Sequence, residues 1–129
     1  MKTVFVISMV VIMAISHAEM DKEHQECLDE TELTEAEVSE FLLGDDAEND
    51  AKATKFLMCI FKKNEAVNDE GHFDVTKAQE VVKHYMTEVV GSEDQQALDC
   101  VQEKDTTEQT VLALGKCVEK RKVELSSSK

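Results

Sequence analysis

Proline is absent from this chain of 129 residues, and glycine occurs only four times. No proline breaks a helix, and no stretch alternates apolar and polar residues as a half-buried strand does, so the chain reads as helical throughout. Basic side chains are also scarce: 14 Lys and Arg stand against 28 Asp and Glu, for a net charge of −14 at pH 7. Such a surface repels nucleic acid and anionic lipid, so neither is an expected partner. Long hydrophobic runs are missing as well. The apolar stretch from Val4 to Ile15 is twelve residues long, whereas a helix needs about 20 to span a bilayer, so stable membrane insertion is not expected. The sequence holds no GxSxG, no HExxH, no Gly-rich phosphate loop and no Cys-His signature. The chain is therefore read as a non-enzyme, with no catalytic residues, metal or cofactor assigned.

What is present begins at the N-terminus. Lys2, the apolar stretch after it, and then Ser16, His17 and Ala18 have the form of a secretory signal peptide, with small residues three and one before the cut. Residues 1–18 are read as that signal and 19–129 as a single secreted, extracellular domain. Removing 1–18 takes away Lys2 and no acid, leaving 13 basic against 28 acidic side chains and a charge of −15. A domain of this size buries roughly 65% of the surface its unfolded chain exposes, a modest core that cross-links would support. Cys27, Cys59, Cys100 and Cys117 all lie in the mature part. An even count in a secreted chain implies two disulfides, and four cysteines allow three pairings.

Six short helices are predicted, over roughly 20–30, 34–43, 49–63, 74–90, 92–104 and 106–121, with Gly44, Gly71 and Gly91 between patterns. Thr34 with Glu37, and Ser92 with Gln95, have the form of a capping box; Asp74 and Asp105 or Thr106 serve as simpler caps. Apolar residues fall at helical spacing in each segment, as in Val38, Phe41 and Leu42, or in Ala78, Val82, Tyr85 and Met86. These stripes need facing partners, so the fold class is all-α, with the helices packed round a shared interior. The tail from Val123 is expected to leave the fold beyond Leu125.

Two metal readings fail. In NDEGHFD, placing Gly71 sixth in a calcium loop puts Ala66 first and Lys77 twelfth, and neither carries the oxygen ligand required there. Successive cysteines have 31, 40 and 16 residues between them, unlike the close pairs of a zinc site. His72 and His84 are read as surface groups.

The cysteine spacing resembles that of the insect pheromone and general odorant-binding protein family. In that pattern six cysteines tie six helices, the second and third separated by three residues and the fifth and sixth by eight. Cys27, Cys59, Cys100 and Cys117 match the first, third, fourth and sixth, while Lys55 and Glu108 stand at the second and fifth. The chain thus resembles the four-cysteine branch. The stretch KFLMCIFKKNEAVNDEGHFD, from Lys55 to Asp74, is similar to the family's junction between third and fourth helices, and the resemblance covers essentially all of the mature chain.

The resemblance implies bridges Cys27 to Cys59 and Cys100 to Cys117. The second strains a simple picture. In a straight hairpin turning near Asp105, Cys100 lies about 7 Å from the turn and Cys117 about 18 Å, so the last two helices must splay, cross or shift the turn. Lys55 and Glu108 are expected to face each other as an exposed ion pair where the family's middle bridge is absent.

The resemblance also implies a carrier of small hydrophobic ligands such as odorants or pheromones, acting as a monomer or weak homodimer. The candidate ligand-binding set is Phe41, Phe56, Ile60, Phe73, Val82 and Tyr85, together with Met86, Val89, Leu98, Val101, Val111 and Leu114. Each of these side chains serves a packed core as well as a cavity wall. Tyr85 is the polar candidate, since its ring suits an apolar wall and its hydroxyl can hold a ligand oxygen. Met58 and Met86 offer adaptable contacts. The alternative is a secreted helical signalling or interaction protein without a ligand cavity, which calls for a contiguous exposed apolar patch.

Overall fold

The structure, a computed structural model, describes residues 22–127. The expected signal peptide and its cleavage site lie outside the described residues. Within them are six helices and no strand: α1 over 22–31, α2 (Glu35–Leu43), α3 (Ala47–Lys63), α4 (Val75–Val90), α5 (Gln95–Leu98) and α6 (Thr107–Ser127).

Short polar side chains start the helices by accepting hydrogen bonds from backbone N–H groups that have no intrahelical partner. At α2 the expected capping box forms, with Glu37 N–H donating to Thr34 Oγ1 (3.2 Å) and Thr34 N–H to Glu37 Oε1 (3.0 Å). Asp74 Oδ1 accepts from Lys77 N–H at α4, and Thr106 Oγ1 from Gln109 N–H at α6. Three boundaries differ from expectation. Asp46 accepts from Glu48 and Asn49 N–H, so α3 begins at Ala47 and not near 49. The cap of α5 is Asp94 rather than Ser92, and that helix stops at Leu98 instead of 104. Helix α6 runs on through Ser127 because its end is held: Arg121 contacts Glu124 one turn on (3.7 Å), and Leu125 packs against the core.

Helices α1 and α3 end on Glu32 (φ 58°) and Glu65 (φ 62°), left-handed positions more often given to glycine. The bonds Leu33 N–H to Leu28 O and Ala66 N–H to Phe61 O close both ends. The acidic turn that resembled a calcium loop is closed by Asn68 Oδ1, which accepts from Glu70 and His72 N–H. Thr107 then donates to Gly71 O (2.6 Å), pinning this turn to α6.

Helix α6 is central, packing against α2, α3, α4 and α5. Two disulfides form, Cys27–Cys59 from α1 to α3 and Cys100–Cys117 onto α6, each with Cα atoms 5.7 Å apart. The register problem of the second bridge disappears because α5 is so short. From 99 to 106 the chain is irregular, and it carries Cys100 to α6 free of helical rise.

Candidate functional site

Four helices turn apolar side chains into a common space. Val38 and Leu42 come from α2; Phe56, Leu57, Ile60 and Phe61 from α3; Val81, Val82 and Tyr85 from α4; Leu114, Gly115 and Val118 from α6. The i, i+4 steps in this set put each group on one face of its helix, so the four stripes converge. They enclose a cavity of about 120 Å³, partly open to solvent.

Gly115 makes that convergence possible. It sits within α6, where glycine costs about 1 kcal/mol relative to alanine. A Cβ there would lie 2.5 Å from Leu57 Cδ1 and 3.2 Å from Leu42 Cδ2. Its absence lets α6 approach α2 and α3 closely beside the cavity.

One end of the cavity is polar, with His24, Glu35, Glu119 and Lys122. Glu119 is buried, a costly place for a carboxylate without partners. It has two: the Ser39 hydroxyl donates to it, and Lys122 Nζ lies 2.8 Å from Oε1. Lys122 also donates to the Tyr85 hydroxyl at 3.2 Å. Burial, and then the Glu119 charge, push the Tyr85 pKa above its ordinary value, so the phenol stays protonated and can still donate. Burial works against the Lys122 charge, but the hydrogen bond to Glu119 and the contact with Tyr85 outweigh it and hold the pKa above the usual lysine value. His24 stands edge-on to Phe56, with ring centroids 5.1 Å apart.

Of the twelve sequence candidates, the structure brings Phe56, Ile60, Val82, Tyr85 and Leu114 together in this cavity. Seven lie elsewhere. Met86 and Val111 are fully buried and fill the core, as does Val101. Phe41 and Leu98 are partly buried against that core, and Phe73 packs on Phe61 with centroids 6.3 Å apart. Val89 is 45% exposed, because Ala78, Val82 and Met86 define the buried line of α4 and Val89 departs from it in the last turn. Met58 borders a separate open groove with Thr54, Lys55, Cys59 and Glu108. In that groove Lys55 and Glu108 do not form the expected ion pair.

Sequence reasoning passed over the polar end. Phe61, one helical turn after Leu57, and Val81, one turn after Ala78, were within reach of the stripe argument. Glu119, Lys122 and His24 carry no such signal, since in an acidic chain charged residues read as a solvated face.

Metal binding gains no support. Cys27, Glu30 and Cys59 place ligand-type atoms close together, but both sulfurs are in a disulfide and have no thiolate to offer. Glu30 Oε2 rests 2.9 Å from the Cys59 sulfur, a contact and not a hydrogen bond, since that sulfur has no proton. No helix among the described residues is long and apolar enough to cross a membrane.

No curated protein and no solved structure matches the chain. A family model does match, over residues 12–121, under the description PBP/GOBP family. That span includes all six helices nearly to the end of α6, and both disulfides. With helices, bridges and family model in agreement, the chain belongs to the PBP/GOBP family, the pheromone-binding and general odorant-binding proteins, in its four-cysteine form.

Proposed function

We propose that this protein is a secreted carrier, which takes up small, largely apolar molecules such as odorants or pheromones and keeps them soluble in an extracellular fluid. The observation that supports the reading best is the cavity among α2, α3, α4 and α6, walled by apolar side chains and polar at one end. That is the general composition of a small-molecule site. Phe56, Ile60, Val82, Tyr85 and Leu114 form the contact set we propose from the original candidates.

Cavity size bounds the ligand. A cavity of about 150 Å³ holds benzene, so 120 Å³ admits at most a molecule of that size without movement of the lining. A longer ligand must displace side chains or part the helices. Burying ~200 Å² of ligand hydrocarbon at ~25 cal/mol per Å² provides roughly 5 kcal/mol before association costs, which places affinities in the micromolar range or weaker. The signalling alternative rests on a contiguous exposed apolar patch, and the large apolar residues exposed among the described residues, Leu43, Val89 and Val123, come from three different helices. The carrier acts as a monomer or weak homodimer.

The test is displacement of a fluorescent apolar probe from the mature protein by a panel of volatile and fatty compounds. Saturable displacement by several of them is the expected outcome. If none displaces the probe and the probe itself binds without saturation, the carrier reading is wrong.

A further inference from the structure

Helices α2 to α6 fall into two packed groups that share α6. Helices α2 and α3 pack on each other and on α6, while α4 and α5 pack on each other and also on α6. Between α4 and the α2–α3 pair the backbones make at most slight contact. The cavity lies in that division, with Val38, Leu42, Phe56 and Ile60 on one side and Val81 and Val82 on the other. At about 120 Å³ it holds no more than a single ring, so a longer molecule has to move the wall on one side.

A chain of polar contacts ties the two groups together at the solvent-facing end of the cavity, where Glu35 is exposed and Tyr85 and Lys122 are partly exposed. Tyr85 Oη on α4 accepts from Lys122 Nζ on α6 at 3.2 Å. Lys122 Nζ lies 2.8 Å from Oε1 of the buried Glu119, one turn back, and the Ser39 hydroxyl on α2 donates to that same oxygen. The ends of α4 are anchored elsewhere. Asp74 N–H donates to Ala66 O (2.7 Å) where α4 starts, and the Arg121 contact with Asp94 holds the segment that follows its end. Tyr85 lies between those anchors, on the stretch of α4 that faces the cavity.

We propose that Tyr85, Lys122, Glu119 and Ser39 form a strap that sets the upper size of the ligand, and that α4 is the wall that yields when a molecule longer than one ring is taken in. This rests on the carrier reading and deepens it, from apolar molecules in general to those whose length the strap admits. Parting α4 from α2 stretches at least one of the three links. Two of them include an ion and all three involve a buried or half-buried group, so each resists more than a contact in water does. The strap therefore discriminates by length, whatever the chemistry of the ligand.

The test compares toluene with butylbenzene, two hydrocarbons without a polar group, by NMR titration of the mature protein at pH 7.5. Butylbenzene carries three more methylenes, each worth about fourfold in affinity when fully buried. In the wild type the strap should hold the ratio of the two affinities to about tenfold or less, well short of the roughly sixtyfold of full burial. Ser39→Ala cuts the strap at α2 and Tyr85→Phe cuts it at α4, and each leaves Glu119 paired with Lys122. Either variant should raise the ratio about fourfold, the effect of one further methylene buried. Position 39 is outside the cavity lining, so toluene should bind Ser39→Ala within about twofold of the wild type. A ratio near sixtyfold in the wild type, or a ratio unchanged in both variants, overturns the proposal. So does a rise in Tyr85→Phe alone, since that would make the hydroxyl a local obstacle and not one end of a strap. Failure of both hydrocarbons to bind the wild type overturns the carrier reading itself, a result distinct from binding without a size limit.

Discussion

Helices α3 and α6 border two hollows that differ in the side chains they draw from the same two helices. The cavity takes Phe56, Leu57, Ile60 and Phe61 from α3 and Leu114, Gly115 and Val118 from α6. The open groove takes Thr54, Lys55, Met58 and Cys59 from α3 and Glu108 from α6. One helix pair thus presents mainly apolar side chains to one space and a mixture of Met58, Cys59 and charged residues to the other. The groove lies where the family's middle bridge would join positions 55 and 108, and here no covalent link holds the pair. Two other features draw them together, the first of them at the cavity. Gly115 permits close approach to Leu57, and Lys116 Nζ lies 2.9 Å from Asp50 Oδ1, a charge contact and not a well-aligned hydrogen bond. Packing beside the cavity joins α3 to α6 where no disulfide does, so cavity shape and α3–α6 cohesion should be coupled.

The largest expected effect comes from removing the bridge that flanks the groove. Cys27 is fully buried and Cys59 borders the groove, at a sequence separation of 32. On the chain-entropy relation, replacing both by alanine costs about 3.7 kcal/mol, against about 3.1 for the Cys100–Cys117 pair with its separation of 17. Urea unfolding of the two double variants measures the order. The first should also weaken ligand binding, because α1 carries His24 three residues before Cys27. A larger stability loss from the Cys100–Cys117 pair would mean that the groove side is less dependent on its one flanking bridge than the comparison implies.

The same contrast explains what was legible in the sequence. Apolar stripes and caps are local signals, so α2 and α4 were placed to within about a residue by Thr34, Glu37 and Asp74. Ser92 with Gln95 was a misleading local signal. Asp94 prevailed because its carboxylate caps Ala97 N–H and also receives two bonds from Arg121 across the fold. Lining as distinct from filling was not legible: Val82 and Met86 share one stripe of α4, yet one lines the cavity and the other is core. The difference lies in how far the facing helix stands off, a long-range property that no spacing records. The role of Gly115 as a spacer needs the position of Leu57, which no local pattern records.

Closing the groove is the next test by size. Lys55→Cys with Glu108→Cys restores cysteines at the two family positions that border the groove. The expected result is a third disulfide that raises stability by about 1–3 kcal/mol, below the entropic limit because introduced bridges strain their surroundings. Probe affinity should stay within twofold, since neither residue lines the cavity. Free thiols titrating in the oxidised variant would show that positions 55 and 108 stand too far apart to bridge, and that the loss of the cysteines has changed the backbone as well as the cross-link.

Gly115→Ala acts on the other hollow. Helix propensity favours alanine by about 1 kcal/mol, while the 2.5 Å approach to Leu57 Cδ1 must be relieved by moving that methyl. The cavity is the space open to it. Stability should therefore change by less than about 1 kcal/mol, and ligand affinity should fall about tenfold, equivalent to ~1.4 kcal/mol. Unchanged affinity accompanied by a large loss of stability would reverse the reading, making Gly115 a packing residue and separating cavity shape from helix cohesion.

The smallest effect is expected where a polar tie borders neither hollow. Arg121 Nε lies 2.6 Å from Asp94 Oδ2 and its Nη2 3.1 Å from Oδ1, a two-pronged contact between α6 and the start of α5. Arg121, and less strongly the Ala97 N–H, hold the Asp94 pKa below its ordinary value against the opposing effect of burial. A lowered carboxylate pKa stabilises the fold fully above the unfolded value, near 4, and the contribution is lost as pH falls through the lowered value. Asn caps a helix about as well as Asp, so Asp94→Asn removes the charge while sparing the cap. The variant should melt about 2–4 °C below the wild type at pH 6, and the gap should close towards pH 2. Probe affinity at pH 6 should match the wild type. A drop in affinity would show that the α5–α6 tie reaches the cavity through Lys122, the neighbour of Arg121, and that the polar end is set by the whole of α6 instead of by its contacts with α2 and α4.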